Sequence, residues 1–104
     1  MAFQDPFPGL KVPLSDDDLV RALRVDLAAE LEASNLYEAH ADATSHEIVR
    51  ETLRDISKEE KVHAGELLRL IDLLTDNQEG QLHDEGRREV EKKFPDLMYS
   101  VARR

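Results

Sequence analysis

The sequence predicts an all-α protein, an antiparallel two-helix hairpin with a short C-terminal helix that dimerises into a four-helix bundle. Residues 16–77 contain no proline and one glycine, Gly65, so long helices are favoured over a sheet. Apolar residues recur in this stretch at alternating steps of three and four, the a/d repeat of helices packed in a left-handed bundle. A two-helix hairpin cannot bury both of its apolar stripes, so we expect two copies to pair.

Composition narrows the class of protein. The chain has 104 residues, which fits one domain, with 36% charged and 40% hydrophobic residues. Its net charge of −9 argues against binding nucleic acid or an anionic membrane, because both require a basic surface. There is no cysteine, which excludes disulfides and cysteine-based metal sites. Neither a signal peptide nor an apolar membrane span is recognisable, and we expect a cytoplasmic protein.

Residues 1–14 are predicted to form an N-terminal arm. Three prolines and a glycine within this segment oppose a regular helix. Its larger apolar side chains could pack on a partner subunit, and a disordered tail is an equal alternative; these side chains are Phe3, Phe7 and Leu10.

The first helix is expected to begin after Ser15 and to end near Ala43. Ser15 is a typical N-cap, and the three aspartates that follow it lie at the positive end of the helix dipole. Glu30 occupies a core position of this helix, and Tyr37 lies on the same stripe, within hydrogen-bonding reach of whatever Glu30 binds. The full stripe is Val20, Leu23, Leu27, Glu30, Ser34, Tyr37 and Ala41.

The second helix is expected to have Ser45 as its N-cap and to end at about Leu74 or Thr75. Its stripe places two ionisable residues, Glu60 and His63, where leucine would be typical. Burying an unpaired carboxylate costs several kcal/mol or shifts its pKa, so a partner must compensate it. The full stripe is Val49, Leu53, Ile56, Glu60, His63, Leu67, Leu70 and Leu74.

Residues 15–76 thus form the predicted hairpin, and residues 77–104 a C-terminal helical extension. A third helix is expected from about Gln81 to Lys93, with few apolar positions, and Pro95 should interrupt it.

The short connection between the two long helices makes them antiparallel, and this sets the level of each ionisable residue. Glu30 and Glu60 both stand roughly 20 Å from the turn at 1.5 Å per residue. With His63 they form half of a carboxylate-bridged di-iron or di-manganese centre, which needs four Glu and two His from four helices. Two copies complete the set, so we predict a metal site on the dimer axis. The alternative is a polar network in a non-catalytic helical dimerisation module.

Two motifs resemble those of the ferritin-like superfamily, and most closely its half-sized branch, the encapsulated ferritins carried as cargo by encapsulin nanocompartments. They are ELEASNLYE at 30–38 and EEKVHA at 59–64. The resemblance implies two-helix chains that dimerise around a ferroxidase centre and assemble into a ring such as a decamer. Such proteins oxidise Fe(II) to Fe(III) with oxygen and pass it to the shell for storage or detoxification. The resemblance therefore also implies a location inside a nanocompartment.

The resemblance also implies roles for individual residues. Glu30, Glu60 and His63 would be the ligands of two iron ions per dimer, Tyr37 would lie beside the site, and Glu32 matches an acidic iron-entrance position. Carboxylates with imidazole suit iron or manganese better than a structural zinc site. A di-iron or di-manganese protein that reduces peroxide is the enzymatic alternative. The chain departs from many relatives in having alanine and leucine where they have Glu and Trp, at Ala29 and Leu36.

Overall fold

The computed structural model describes residues 12–102, with side chains placed as far as residue 98. This part of the chain contains helices and no strand, which confirms the all-α class. Residues 1–11, including the apolar side chains of the predicted arm, lie outside the described residues. The helices are α1 (Asp16–Asp42), α2 (Glu47–Leu74), α3 (Gln78–Lys93) and α4 (Pro95–Ala102).

Helix α1 begins where the sequence predicted. The Ser15 side chain accepts a hydrogen bond from the backbone N–H of Asp18 at 3.2 Å, and three aspartates fill the first turn. These groups satisfy an otherwise free N–H and complement the helix dipole. The helix then runs without a break for 27 residues to Asp42.

The predicted N-cap of α2, Ser45, is wrong by one residue. His46 is the N-cap, and its Nδ1 accepts from the backbone N–H of Val49 at 3.4 Å. The hydroxyl of Thr44 accepts from the backbone N–H of His46 at 3.1 Å, and this contact helps to hold the connecting turn. The path of the turn therefore places Ser45 before the cap position, although serine is the stronger capping residue. Helix α2 ends at Leu74, as expected.

Helices α1 and α2 pack along each other as an antiparallel pair. The most deeply buried residues of each helix recur seven positions apart or at multiples of seven, as in a helical bundle. Several of them are small, which allows the two backbones to approach closely. They are Val20, Ser34 and Ala41 on α1, and Ser57, Ala64 and Ile71 on α2.

The stripe predicted for α2 is displaced from the face that α2 presents to α1. That face is centred on Ser57, Ala64 and Ile71, each one residue beyond a position of the predicted stripe. Val49 and Leu70 of the stripe remain 44% and 45% exposed within the single chain. The predicted stripe of α2 was drawn through its large apolar side chains and therefore left out Ser57 and Ala64. These small residues lie at the contact with α1. The predicted stripe consequently lies partly on a flank of α2 that α1 does not cover.

Helix α3 begins three residues before the expected Gln81. Asp76 and Asn77 adopt left-handed backbone conformations, with φ of 52° and 64°, and the N–H of Asn77 donates to the carbonyl of Asp72 at 2.7 Å. The chain therefore reverses directly after α2 and enters the next helix at Gln78. A Cβ on Gly80 would lie 2.8 Å from Oδ1 of Asp72, so a larger residue at this position would push the Asp72 side chain aside.

One ion pair joins α3 to the hairpin. The Arg24 guanidinium of α1 contacts both carboxylate oxygens of Glu79, with Nε donating to Oε2 at 3.1 Å. No residue of α3 is buried. The proline that was expected to interrupt the third helix opens α4, which suits its fixed φ and missing N–H. Within residues 12–102, no helix has the length and apolar character needed to cross a lipid bilayer.

Candidate metal centre

Three ionisable side chains meet at the level that the sequence predicted. Glu30 comes from α1, and Glu60 and His63 lie one turn apart on α2. One ligand atom from each lies within 4.8 Å of the other two. His63 Nδ1 is 3.5 Å from Oε2 of Glu30 and 3.8 Å from Oε2 of Glu60. The structure therefore brings these three residues together, and metal binding by them stays a prediction.

The three side chains differ in exposure, and this locates the cluster within the hairpin. The side chains of Glu30 and Glu60 are 25% and 18% exposed, whereas that of His63 is 48% exposed. His63 is therefore not buried within a single chain, and its expected core position in a dimeric bundle stays a prediction. Its side chain lies at the edge of the α1–α2 contact, because Ala64 is the residue turned towards α1. The cluster is closed by the hairpin on one side and open on the other.

One oxygen of the cluster lacks a hydrogen-bond partner. Oε2 of Glu30 is buried and accepts no hydrogen bond from any described residue. Its 3.5 Å separation from His63 Nδ1 exceeds the length of a good N–H···O bond. Leaving a buried polar atom unsatisfied costs about 1–3 kcal/mol, and more when the group is charged. A cation between these ligands would remove that cost.

The donor set fits a divalent transition metal. Two carboxylates and an imidazole suit iron or manganese, whereas structural zinc sites favour cysteine and histidine in a closed tetrahedron. One chain offers three donor residues on one side of the cluster. A further set of donors could therefore complete the coordination from the open side.

The two other residues assigned by resemblance are not members of this cluster. Tyr37 is partly buried on α1, and the group of ligand-type atoms that meet consists of Glu30, Glu60 and His63. Glu32 is exposed to solvent. The roles assigned to both residues remain predictions.

Sequence reasoning missed a hydrogen-bond network beside the cluster, which runs from a buried pair of serines to two half-exposed charged residues. The hydroxyl oxygens of Ser34 on α1 and Ser57 on α2 are 2.7 Å apart, and both residues are 1% exposed. The Ser57 hydroxyl also donates to Oε1 of Glu38 at 2.9 Å, and Nζ of Lys61 donates to the same oxygen at 2.6 Å. The bond from Lys61, and then that from Ser57, lowers the pKa of Glu38. In the sequence, Ser34 stands seven residues before Ala41, and Ser57 stands seven residues before Ala64. This repeat of small residues was the available sign of a close contact between the two helices.

Comparison with known proteins places the chain in a family. The Rubrerythrin family model matches residues 21–100, which covers most of the chain. The match begins within α1, includes all three residues of the cluster and continues through α3.

Two curated relatives illustrate the sequence similarity. The encapsulin nanocompartment cargo protein EncC of Myxococcus xanthus is 42% identical over 69 residues, which cover 64% of this chain and 52% of EncC. The ferritin-like-encapsulin shell fusion protein of Pyrococcus furiosus is 42% identical over 59 residues, covering 57% of this chain and 17% of the fusion. The chain thus spans about half the length of the first relative and a smaller share of the second.

A solved structure matches more completely. The encapsulated ferritin domain of Pyrococcus furiosus has 34% sequence identity to this chain and superimposes with a TM-score of 0.74. The alignment covers 88% of this chain and 93% of that domain. The family model and the solved structure both match most of the length of this chain. The chain therefore belongs to the rubrerythrin family of ferritin-like proteins, in its encapsulated ferritin branch.

Proposed function

We propose that this protein is a ferroxidase that oxidises Fe(II) to Fe(III) with oxygen, at a di-iron centre formed across a dimer interface. The observation that carries the proposal is the cluster of Glu30, Glu60 and His63, with the buried, unpartnered Oε2 of Glu30 directed into it. A site held only by structural hydrogen bonds would satisfy that oxygen. A site that takes up a cation leaves the oxygen free to bind that cation.

Each ligand has a distinct part in the proposed site. The negative charge of the Glu30 and Glu60 carboxylates attracts Fe(II). The same charge stabilises Fe(III) more strongly than Fe(II), which favours oxidation. The neutral imidazole of His63 supplies a lone pair. When bound, each iron would supply one electron to the oxidant. Tyr37 would lie beside the site, and Glu32 would attract Fe(II) from solvent.

The dimer follows from the incomplete donor set and from the exposed apolar flank of α2. One chain has one Glu from α1 and one Glu-x-x-His from α2, and a second copy related by a two-fold axis would double both. Val49 and Leu70 lie on the same flank as His63 and are about half exposed. Burying this flank against its copy would bring two clusters together. We expect two iron ions per dimer, with manganese as the alternative metal, and further assembly of dimers into a ring such as a decamer.

The relatives support a second part of the proposal, which concerns location. EncC is named as an encapsulin nanocompartment cargo protein, and the Pyrococcus furiosus relative is named as a fusion with an encapsulin shell protein. We propose that this chain also associates with an encapsulin shell and resides inside that compartment. Its oxidised iron would then be stored or detoxified there.

An anaerobic Fe(II) titration followed by admission of oxygen tests the activity. We expect saturation at about one iron per chain and oxygen-dependent growth of the near-ultraviolet absorbance of Fe(III). Glu60→Ala should abolish both. Glu59→Ala changes the same residue type at the neighbouring exposed position and should leave both intact.

Other outcomes would replace the proposal. Tight iron binding with faster oxidation by hydrogen peroxide than by oxygen would indicate a peroxide-reducing di-iron or di-manganese protein. Absence of stoichiometric binding would indicate a non-catalytic helical dimerisation module. In that case Glu60→Ala would change dimer stability equally with and without metal.

A further inference from the structure

A buried pair of serines links α1 to α2 next to the metal cluster. The two hydroxyl oxygens of Ser34 and Ser57 are 2.7 Å apart. Each hydroxyl also lies 3.3 Å from the backbone carbonyl oxygen of the other serine. Both residues are almost completely buried, so water does not compete for these bonds. The contact is therefore polar and directional, in a helix interface otherwise packed through alanine, valine and isoleucine.

The protons of this network can be assigned because a serine hydroxyl has only one. Ser57 has a charged acceptor, Oε1 of Glu38, at 2.9 Å, and the carbonyl of Ser34 lies farther away at 3.3 Å. A bond to a charged acceptor is the stronger one, so Ser57 donates to Glu38. Ser34 then donates to the hydroxyl of Ser57. Lys61 completes the chain of bonds by donating to the same oxygen of Glu38 at 2.6 Å.

The serine pair lies one helical turn from the ligands on both helices. Ser34 follows Glu30 by four residues, and Ser57 precedes Glu60 by three, which correspond to about 6 Å and about 4.5 Å along the helix axes. On the other side of the cluster the nearest buried residue of α2 is Ala64, whose methyl group has no directional bond. Apolar contacts of this kind tolerate a small slide of one helix along the other, whereas a satisfied buried hydrogen bond does not.

We infer that Ser34 and Ser57 are positioning residues of the metal centre, which hold α1 and α2 in the register that aligns Glu30 with Glu60 and His63. The inference rests on the proposed metal site. It adds that the geometry of the site depends on a bond between two residues that do not touch the metal. Glu38 and Lys61 orient the Ser57 hydroxyl from the surface side of the network.

The double variant Ser34→Ala/Ser57→Ala tests this inference with Co(II) as the probe. Both hydroxyls are removed together, so neither is left buried without its partner, and the variant should fold with nearly unchanged stability. The measurements are the Co(II) affinity, the visible ligand-field spectrum, which reports coordination geometry, and the midpoint of urea unfolding of the metal-free protein. We expect about tenfold weaker binding and an altered spectrum, the size of effect typical when residues that support metal ligands are lost.

Ile71→Val is the matched control. Ile71 is fully buried in the same interface, eight residues beyond His63, and its truncation weakens packing without removing a directional bond. We expect it to lower the unfolding midpoint and to leave the Co(II) affinity and spectrum unchanged.

The outcomes separate the inference from the proposed function. If Co(II) binds the wild-type protein and not Glu60→Ala, the metal site stands. A double serine variant with wild-type affinity and spectrum would then overturn the positioning role alone. Equal losses of affinity in the double serine variant and Ile71→Val would also overturn it, because they would reflect general loosening. A wild-type protein that does not bind Co(II) would overturn both the site and the inference.

Discussion

At the scale of single residues, Glu30 is a proposed metal ligand that destabilises the metal-free fold. Its Oε2 is buried without a hydrogen bond and lies in the same cluster as the carboxylate of Glu60. Both the missing hydrogen bond and the neighbouring like charge destabilise the metal-free fold. Natural binding sites retain such destabilising groups where a bound ligand removes the free-energy cost.

Glu30→Gln should therefore stabilise the metal-free protein and impair metal binding. Removal of the negative charge next to Glu60 should raise the free energy of unfolding by about 1 kcal/mol. The same change weakens the ligand set, so Fe(II) and Co(II) should bind much more weakly. Urea unfolding and metal titration measure the two effects. Glu66→Gln, at an exposed position of α2, is the control and should change neither; a loss of stability in Glu30→Gln would contradict the account.

The Glu38 carboxylate gives a pH-dependent contribution to stability. Hydrogen bonds from Lys61 and Ser57 lower its pKa from the ordinary value of 4.5. A carboxyl group with a lowered pKa in the folded state stabilises the protein above its ordinary pKa, and this contribution is lost as pH falls through the lowered pKa. Wild type should therefore exceed Glu38→Gln in stability at neutral pH, and the difference should shrink in acid.

Urea unfolding of wild type and Glu38→Gln at several pH values between neutral and about 3 measures this difference. Lys61→Met removes the first cause of the lowered pKa, so it should reduce the pH dependence in the same range. A difference between wild type and Glu38→Gln that does not change with pH would contradict the assignment.

At the scale of elements, the start of α2 shows how a turn overrides a capping preference. Serine caps helices better than histidine, yet the backbone N–H of Val49 donates to Nδ1 of His46. The hydroxyl of Thr44 and the backbone N–H of His46 are bonded across the connection, so Ser45 is held outside the first helical turn.

His46→Ala should lower stability by about 0.5 kcal/mol, the low end for loss of a cap, because the observed bond is 3.4 Å long. Ser45→Ala is the matched control and should have almost no effect. Thermal unfolding of both variants measures the comparison. A larger loss in Ser45→Ala would mean that serine, and not histidine, caps the helix in solution.

The two long helices also differ in what they leave uncovered. Helix α1 turns its predicted stripe towards α2, and Val20, Ser34 and Ala41 are buried there. Helix α2 contacts α1 through a face rotated by one residue from its apolar stripe. It consequently has two faces with different tasks. The face with Ser57, Ala64 and Ile71 packs within the chain, and the face with Leu70 and His63 is not covered by α1.

At the scale of the whole molecule, the uncovered flank of α2 predicts that association depends on its apolar residues. Leu70 is 45% exposed, one heptad beyond His63, and Leu70→Glu would place a charge in the proposed interface. We expect wild type to be dimeric or larger and Leu70→Glu to be monomeric by sedimentation velocity. Val62→Glu adds the same charge at an exposed position facing another direction and should leave the dimer intact.

Metal should strengthen that dimer. Two copies would bring four carboxylates of the Glu30 and Glu60 pairs together, and bound cations would relieve their repulsion. The same sedimentation experiment with and without Fe(II) under anaerobic conditions should give a higher dimer affinity with metal. Equal affinities would contradict a site shared between two chains.

The sequence by itself determined the two long helices, their antiparallel order and the common level of Glu30 and Glu60. Each of these follows from local rules: helical periodicity, the serine cap and aspartates at the start of α1, and a connection too short for any other arrangement. The axial position of a residue depends only on its count from the turn, so the meeting of Glu30, Glu60 and His63 was predictable, whereas metal binding by them stays a prediction.

Only the tertiary structure decided which flank of α2 meets α1, and with it the exposure of His63. Rotation about the helix axis depends on how closely two backbones approach, and small residues such as Ser57 and Ala64 control that distance without adding to an apolar pattern. The bond between Ser34 and Ser57 has the same origin, because it joins residues 23 positions apart. Periodicity describes one helix at a time, whereas these features arise from the fit between two.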